Sequence, residues 1–404
     1  MKNRELYLKR LLHFKDKSQI KVITGVRRSG KSFLLDLFER SLFESFNVSP
    51  DNIVKINFEL EEFKNIADDV LLYKYIKEKI KNTDRKVYLL LDEIQNVKHW
   101  EKAINSLNID SNVDIYITGS NAYLLSSELS TLLSGRYVEI KMLPLSYKEF
   151  LDFNDIQSSD ENFEVFLKYG GMPAVAEYDK DELGINSLLE GIYSTAILKD
   201  VIERNSIGNE KLLRNLVLYL ADNIGNIFSP NSIANFLSSN KEDLSLKENT
   251  ANKTVNQYLS TLEKAFIFYP VSRYDVKGKE YLKTLQKYYI VDTGIRNMLL
   301  GYRDVDRGHI LENVVYLELL RRGFNVSIGK VGEKEIDFVA IRPDKKVYYQ
   351  VTESLLDKGV REREISALST IKDNYEKVVL SMDNSFVTSQ DGIKLQNVID
   401  FLLE

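Results

Sequence analysis

The chain has 404 residues, 44% hydrophobic and 28% charged, a globular composition of about two to four domains. Six prolines and 19 glycines exclude collagen-like and long disordered chains; the absence of cysteine excludes disulfides, thiolate zinc sites, iron–sulfur clusters and cysteine nucleophiles. The 55 Lys and Arg against 60 Asp and Glu leave a net charge of −5, which excludes a nucleic-acid coat but not a local basic face.

In chain order, the first 150 residues alternate between strands and helices. Ile20–Thr24 is an apolar, β-branched strand candidate, followed by GVRRSGKS and by FLLDLFERSLF at helical spacing. Ile53–Phe58, Val87–Leu91, Val113–Thr118 and Tyr137–Met142 are further strand candidates. Such alternation predicts a parallel sheet covered on both faces. After Pro144 the pattern becomes mainly helical to about Asn226, interrupted at Gly170-Gly171-Met172-Pro173. From Ile227 to Ile290 it gives short helices and a basic hairpin, with Ser238–Asn252 as a polar loop. From Gly308 to Glu404 it reads as a helix, two strands and a last helix. There is no internal repeat. His13, His99 and His309 are too scattered for a histidine metal site, and no apolar run approaches the ~18 residues of a membrane span. MKNRELYLKR lacks the apolar region of a signal peptide, so a cytoplasmic protein without membrane contact is expected.

Gly25-Val26-Arg27-Arg28-Ser29-Gly30-Lys31-Ser32 matches G-x-x-x-x-G-K-[ST] between a strand and an amphipathic helix. Backbone N–H groups of such a loop turn inward around phosphate oxygens, and the helix aims its positive end at the same anion. Lys31 is expected on the β- and γ-phosphates and the Ser32 hydroxyl on Mg²⁺. Arg27 and Arg28, with Ser29 in the loop, either touch phosphate or pair with neighbouring acids. VYLLLDE supplies the second half: Asp92 for Mg²⁺ and Glu93 to polarise the attacking water. The strand VDIYIT ends in Gly119-Ser120-Asn121, and Ser120, or alternatively Asn121, is a candidate to hydrogen-bond the γ-phosphate or the lytic water. Arg136, just before the fifth strand, is either an arginine finger for a neighbouring subunit or a surface arginine.

Several strings resemble a prokaryotic AAA+-type P-loop ATPase family fused to a C-terminal domain of unknown function. They are IKVITGVRRSGKS, YLLLDEIQNVKHWEKAINSL, ITGSNAYLLSSELSTLLSGR and LPLSYKEFL, then YGGMPAV, KYYIVDTGIRNML, ENVVYLELLRRG, EIDFVA, YYQV and REISALSTIKDNYEKVVLS. The resemblance implies an α/β architecture: an AAA+-like P-loop core over residues 1–150, a helical lid over 151–226, a winged helix-turn-helix over 227–304 and a restriction-endonuclease-like α/β domain over 305–404.

Ser232–Leu237 and Thr254–Leu262 read as the two helices of the winged element. Val255, Tyr258, Leu259 and Leu262 face a core, leaving Lys253, Asn256, Gln257 and Ser260 outward to meet base edges or phosphates. Arg273–Lys279, turning at Gly278, reads as a wing carrying Lys277 and Lys279; DNA contact and protein packing both fit this arrangement. In the terminal domain the nuclease pattern falls on Glu312, Asp337 and Gln350, but Thr352 occupies the lysine position and Glu353 turns away. Threonine cannot offset charge on a developing phosphorane, so a degenerate site is expected. Together these features predict an ATP-hydrolysing switch or motor using ATP and Mg²⁺. Its C-terminal half would engage DNA or an unknown protein partner, with homo-oligomerisation open. The alternatives are an ATP-regulated Mg²⁺-dependent nuclease and a nucleotide-sensing scaffold with negligible turnover.

Overall fold

Within a strand, successive side chains face opposite sides, so a strand covered on both sides must be apolar throughout. β1 (Ile20–Thr24) and β3 (Val87–Asp92) are buried along their whole length. The computed structural model describes residues 4–81, 83–120, 135–178, 181–194, 201–202, 207–229, 231–233, 248–384 and 388–404. The chain forms two compact units, Met1–Leu143 with Lys264–Phe266, and Pro144–Glu263 with Ile267–Glu404.

In the first unit, α1 (Glu5–His13) leads into β1, α2 (Lys31–Glu44), β2 (Ile53–Asn57), α3 (Asp69–Ile80), β3, α4 (Trp100–Asp110), β4 (Val113–Gly119) and β5 (Tyr137–Lys141). The five strands lie in the order β2-β3-β4-β1-β5, all parallel. Alternation sends Ile20, Val22, Leu89, Leu91, Ile115 and Ile117 into one core and Ile23, Leu90, Tyr116 and Ile140 into the other, the latter closed by Tyr7 and Leu11 of α1 and Leu34 and Phe38 of α2. Lys21 and Asp114 break the apolar pattern as a buried ion pair, and the Tyr116 hydroxyl donates to Asp114 at 2.9 Å.

The second unit opens with helices α5 (Tyr147–Asn154), α6 (Asp160–Tyr169), α7 (Glu182–Gly191), α8 (Glu210–Asp222) and α9 (Glu248–Lys264). The break at Gly170–Pro173 is a docking point. The Asp292 carboxylate accepts the Gly171 N–H at 2.7 Å and the Ile295 N–H at 3.1 Å. Gly294 lies so close to the Tyr169 carbonyl that a Cβ would sit 2.0 Å from it, which only glycine permits. YGGMP and VDTG are thus one structural feature assembled from two distant strings.

β6 (Phe268–Asp275) and β7 (Glu280–Ile290) form the expected hairpin. After α10 (Thr293–Leu300) and α11 (Arg307–Arg321) come β8 (Asn325–Val331), β9 (Lys334–Arg342), β10 (Lys345–Val351), α12 (Lys358–Ser369), β11 (Glu376–Ser381), β12 (Ser389–Gln390), β13 (Ile393–Asn397) and α13 (Val398–Leu403). Two strands were expected after Gly308, and six are present among the described residues. NVSIGKV carries polar or small residues at alternate positions and EKVVLS has an apolar run of only three residues, so neither stands out in a reading based on apolar runs. The eight strands described in the unit share one sheet, β12-β13-β11-β10-β9-β8-β6-β7. The hairpin does not stand free, because Arg273–Asp275 of β6 pair in parallel with Ile328–Lys330 of β8. Among the described residues, no helix is long and apolar enough to cross a membrane.

Candidate functional site

The carboxyl ends of β1, β3 and β4 are adjacent, and these ends with the segments after them bring six polar groups together. Gly25 follows β1 at φ +148, where a Cβ would meet the Met142 carbonyl at 2.1 Å. The loop then passes Arg28 at φ +64 and Gly30 at φ +95, and α2 begins at Lys31. Lys31 is 4% exposed, and its ammonium donates to the Gly25 and Val26 carbonyls at 3.1 Å each. Burial lowers the pKa of Lys31, and the charges of Glu93 and Asp92 oppose that shift.

β3 delivers Asp92 and Glu93, both buried. Asp92 is bonded by the hydroxyls of Ser32 and Thr118, which counteract the upward pull of burial on its carboxyl. Glu93 takes the left-handed conformation at φ +54. Its N–H donates to Thr118 Oγ1 at 3.0 Å, and its carboxylate accepts from the Gln95 amide and from Ser120 Oγ at 3.3 Å. Lys31 Nζ lies 3.9 Å from Glu93 Oε1. A cation, two acids and three hydroxyls are therefore held around the N-terminus of α2, an arrangement suited to a polyphosphate and a hard divalent cation.

The remaining expectations for this unit fall differently. Arg27 bonds Glu59 at 2.6 Å, whereas Arg28 is exposed. Arg136 is exposed and donates to Asn105 Oδ1 at 2.7 Å. Its carbonyl accepts the Ile20 N–H, so it lies beside the start of β1, about 16 Å of strand away from the loop at the other end. Asn121 lies outside the described residues. Sequence reasoning missed Thr118 and Gln95.

In the second unit, Val255, Tyr258, Leu259 and Leu262 of α9 are buried, and Lys253, Asn256 and Gln257 are exposed, as the spacing predicts. The first helix of the pair is described only at Ser232 and Ile233; Ala234–Leu237 lie outside the described residues. Phe228 bridges antiparallel to Gln286 on β7. Lys277 and Lys279 are exposed at the hairpin turn, which is closed by Asp275 accepting the Lys277 and Gly278 N–H groups at 2.9 and 3.0 Å.

Glu312 on α11, Asp337 on β9 and Gln350 on β10 do converge, beside a cavity of 640 Å³ that Thr352 also lines. Gln350 Oε1 accepts the Asp337 N–H at 2.7 Å, its amide donates to Glu364, and Asp337 accepts the Val351 N–H at 2.8 Å. Glu353 also lines the cavity and bonds Arg307 at 3.1 Å. A lysine is present here, though not at position 352. Lys287 of β7 reaches Glu312 and Glu335 at 2.8 Å each and lies 3.9 Å from Asp337. Burial lowers the Lys287 pKa, but these three carboxylates outweigh it and raise the value overall; burial and the Glu312 charge push the Asp337 carboxyl far above the ordinary range. The signal for Lys287 was a lysine on the same face as Tyr289 in the otherwise apolar run KYYIV.

This geometry agrees with the family comparisons. Residues 17–151 match the family described as an AAA domain, and residues 160–306 match a domain of unknown function, DUF8612. An uncharacterized protein of Haemophilus influenzae is 42% identical over 100% of this chain and 99% of its own length. The uncharacterized protein MJ1544 of Methanocaldococcus jannaschii is 35% identical over 91% of this chain and 80% of its own length. Among solved structures, the Walker-type ATPase PABY2304 of Pyrococcus abyssi is similar at 16% identity and a TM-score of 0.43, covering 74% of this chain and 96% of that one. On the family match over residues 17–151, the first unit carries an AAA-type ATPase domain. The chain belongs to the same family as the H. influenzae and M. jannaschii proteins.

Proposed function

We propose that this chain is an ATP-hydrolysing switch or motor whose C-terminal half engages DNA or a protein partner. The observation that carries the reading is the convergence of Lys31, Ser32, Asp92, Glu93 and Ser120, with Thr118, on one helix N-terminus. Loop N–H groups and Lys31 bind the β- and γ-phosphates, the ammonium exchanging the Gly25 and Val26 carbonyls for phosphate oxygens. Ser32 and Asp92 offer hard oxygens that fit Mg²⁺, which when bound neutralises charge developing between the phosphates. Glu93 orients the attacking water and takes its proton, while Gln95 and Ser120 fix the carboxylate's direction. Ser120 and Thr118 link the end of β4 to both acids, so a change at the γ-phosphate is felt along that strand. Arg136, at the opposite end of its own sheet, suits a neighbour's nucleotide rather than its own, which supports a homo-oligomer.

The partner half rests on element order. Helix α8, the bridge at Phe228, the helical residues 231–233, α9 and the β6–β7 hairpin follow one another in an order that fits a winged helix-turn-helix. Lys253, Asn256, Gln257, Lys277 and Lys279 are its exposed candidates for DNA. The order α11, β8, β9, β10, α12, β11 supports a restriction-endonuclease-like core. A nuclease reading draws on Lys287, but three carboxylates hold that ammonium away from any phosphodiester, so no cleavage of plain duplex DNA is expected. Steady-state ATP hydrolysis with and without duplex DNA tests the whole reading. Turnover raised by DNA supports the switch, turnover indifferent to DNA moves the C-terminal half to protein contact, and negligible turnover favours a nucleotide-sensing scaffold.

A further inference from the structure

A phosphate loop works only if its N–H groups face inward, and in a trans peptide the carbonyl points opposite to the following N–H. Each inward N–H therefore requires an outward carbonyl with a donor behind it. The Gly25 and Val26 carbonyls meet Lys31, whose ammonium gives them up for phosphate, so they are not held in this way. The Ser29 carbonyl is served by a residue outside the loop: Arg4 donates to it through Nη1 at 3.0 Å and to the Leu143 carbonyl through Nη2 at 2.8 Å. The Arg4 side chain stacks over Tyr7, 4.9 Å from the ring centre, and the whole residue is 1% exposed. The Tyr7 hydroxyl accepts the Leu143 N–H at 3.1 Å. One turn at the start of α1 thus grips the loop and the chain just after β5.

The peptide that Arg4 holds joins Ser29 to Gly30. Gly30 is at φ +95, and without a side chain it can take φ of either sign, so its own conformational preference does not prevent a peptide flip. A flip would turn the Gly30 N–H outward and aim a carbonyl oxygen at the phosphates. We propose that Arg4 is a positioning residue of the phosphate site: its guanidinium fixes the Ser29–Gly30 peptide so that the Gly30 N–H faces the bound phosphates. The residue touches neither substrate nor Mg²⁺, and it acts through the loop. Its charge, buried behind a site for a polyanion, adds to the same preference. This inference rests on the ATP-binding reading above.

The test measures binding of a fluorescent ATP analogue and of ADP, with kcat and KM, for wild type, Arg4→Met, Arg4→Lys and Tyr7→Phe. Arg4→Met is expected to raise Kd and KM roughly tenfold, the loss of about one charge-assisted hydrogen bond, with kcat little changed because Lys31, Asp92 and Glu93 are intact. Arg4→Lys keeps the charge but reaches one carbonyl rather than two, so its affinity should lie between those of wild type and Arg4→Met. Tyr7→Phe keeps the ring beneath Arg4 and loses only the Leu143 bond, so its nucleotide affinity should match wild type. Wild-type affinity in Arg4→Met overturns the proposal, as does an equal loss in Tyr7→Phe, which would mark the effect as one of α1 packing. Should Arg4→Met fold poorly, Arg4→Lys decides: affinity equal to wild type overturns the proposal. Lys31→Ala is the control for the underlying reading. A wild type that binds no more nucleotide than Lys31→Ala would bring down the ATP site itself, a result distinct from any failure of Arg4.

Discussion

Lys31 and Lys287 are both lysines buried next to carboxylates, yet their surroundings make them opposites. The Lys31 head group rests on two neutral carbonyls and stays 3.9 Å from the nearest acid. Lys287 is in direct contact with two acids and close to a third. Burial therefore dominates at Lys31 and lowers its pKa, whereas the carboxylates dominate at Lys287 and raise it. An ammonium on carbonyls remains available to a stronger anion such as a triphosphate. One already neutralised by carboxylates can leave only by exposing them. The same residue type is thus poised for a ligand in one unit and serves as an internal counter-ion in the other.

The largest expected effect tests the poised half. Glu93→Gln should lower ATP turnover by ~10²–10⁴, the usual worth of a general base, while ATP binding persists. Lys31→Ala should abolish the rise in Tm that saturating Mg-ATP gives to the wild type. Phosphate release and thermal melts check both. Turnover near wild type in Glu93→Gln would mean that another group positions the water.

The counter-ion half is broken by Lys287→Met, which strands Glu312, Glu335 and Asp337. Removing one partner of a buried ion pair costs about 3–5 kcal/mol, whereas Lys31→Ala, which removes a poorly compensated charge, should cost less. Urea unfolding of both variants gives the comparison directly. Asp337 is already raised by burial and would lose the opposing charge of Lys287; a carboxyl raised in the folded state favours folding at low pH and loses that contribution as pH rises. The defect should accordingly shrink on acidification. A Lys287→Met protein as stable as wild type at pH 8 would remove the distinction.

A third buried charge sharpens the rule, because Asp292 has backbone N–H groups rather than a lysine around it. Burial pushes its carboxyl up to about 6 against those N–H groups, from an ordinary value of 3.8. Its contribution to stability is complete below about pH 4 and declines as pH rises through 6, by about 3 kcal/mol in total. Asp292→Asn should destabilise the protein at pH 4 yet flatten the dependence between pH 4 and 6. An unchanged slope would show that the N–H groups keep the carboxylate ionised.

The smallest effect concerns charges that are fully solvated. Reversing Lys253, Lys277 and Lys279 to Glu should weaken duplex DNA binding at low salt by at least about tenfold. It should also reduce the salt slope by roughly one for each lysine on a phosphate, leaving DNA-free ATP turnover unchanged. DNA binding that is indifferent to salt would assign this surface to a protein partner.

The phosphate loop was legible because all its parts lie within eight consecutive residues between a recognisable strand and helix. Asp92 and Glu93 were legible for the same reason. Thr118 was not, since its place beside Asp92 follows from the β3–β4 register, in which Leu91 pairs with Ile117. Arg4 lies 25 residues before the carbonyl it holds, and no local pattern links them. Glu312, Asp337 and Gln350 were found through a resemblance. The lysine missing at 352 enters from a hairpin that sequence order assigned to another element. The helical face of α9 could be read from its spacing; that its neighbouring hairpin would join the far sheet could not, because strand pairing across 55 residues leaves no periodic mark.

That shared sheet bears on how the chain can be inherited. Its β7 edge brings the lysine, while α11 and β9 bring the acids that need it. A recombination breakpoint near residue 304 would pass on acids without a cation, and a cation without acids. The two segments can therefore diverge only together, and in lineages where position 287 turns neutral, Glu312 or Glu335 should have turned neutral as well.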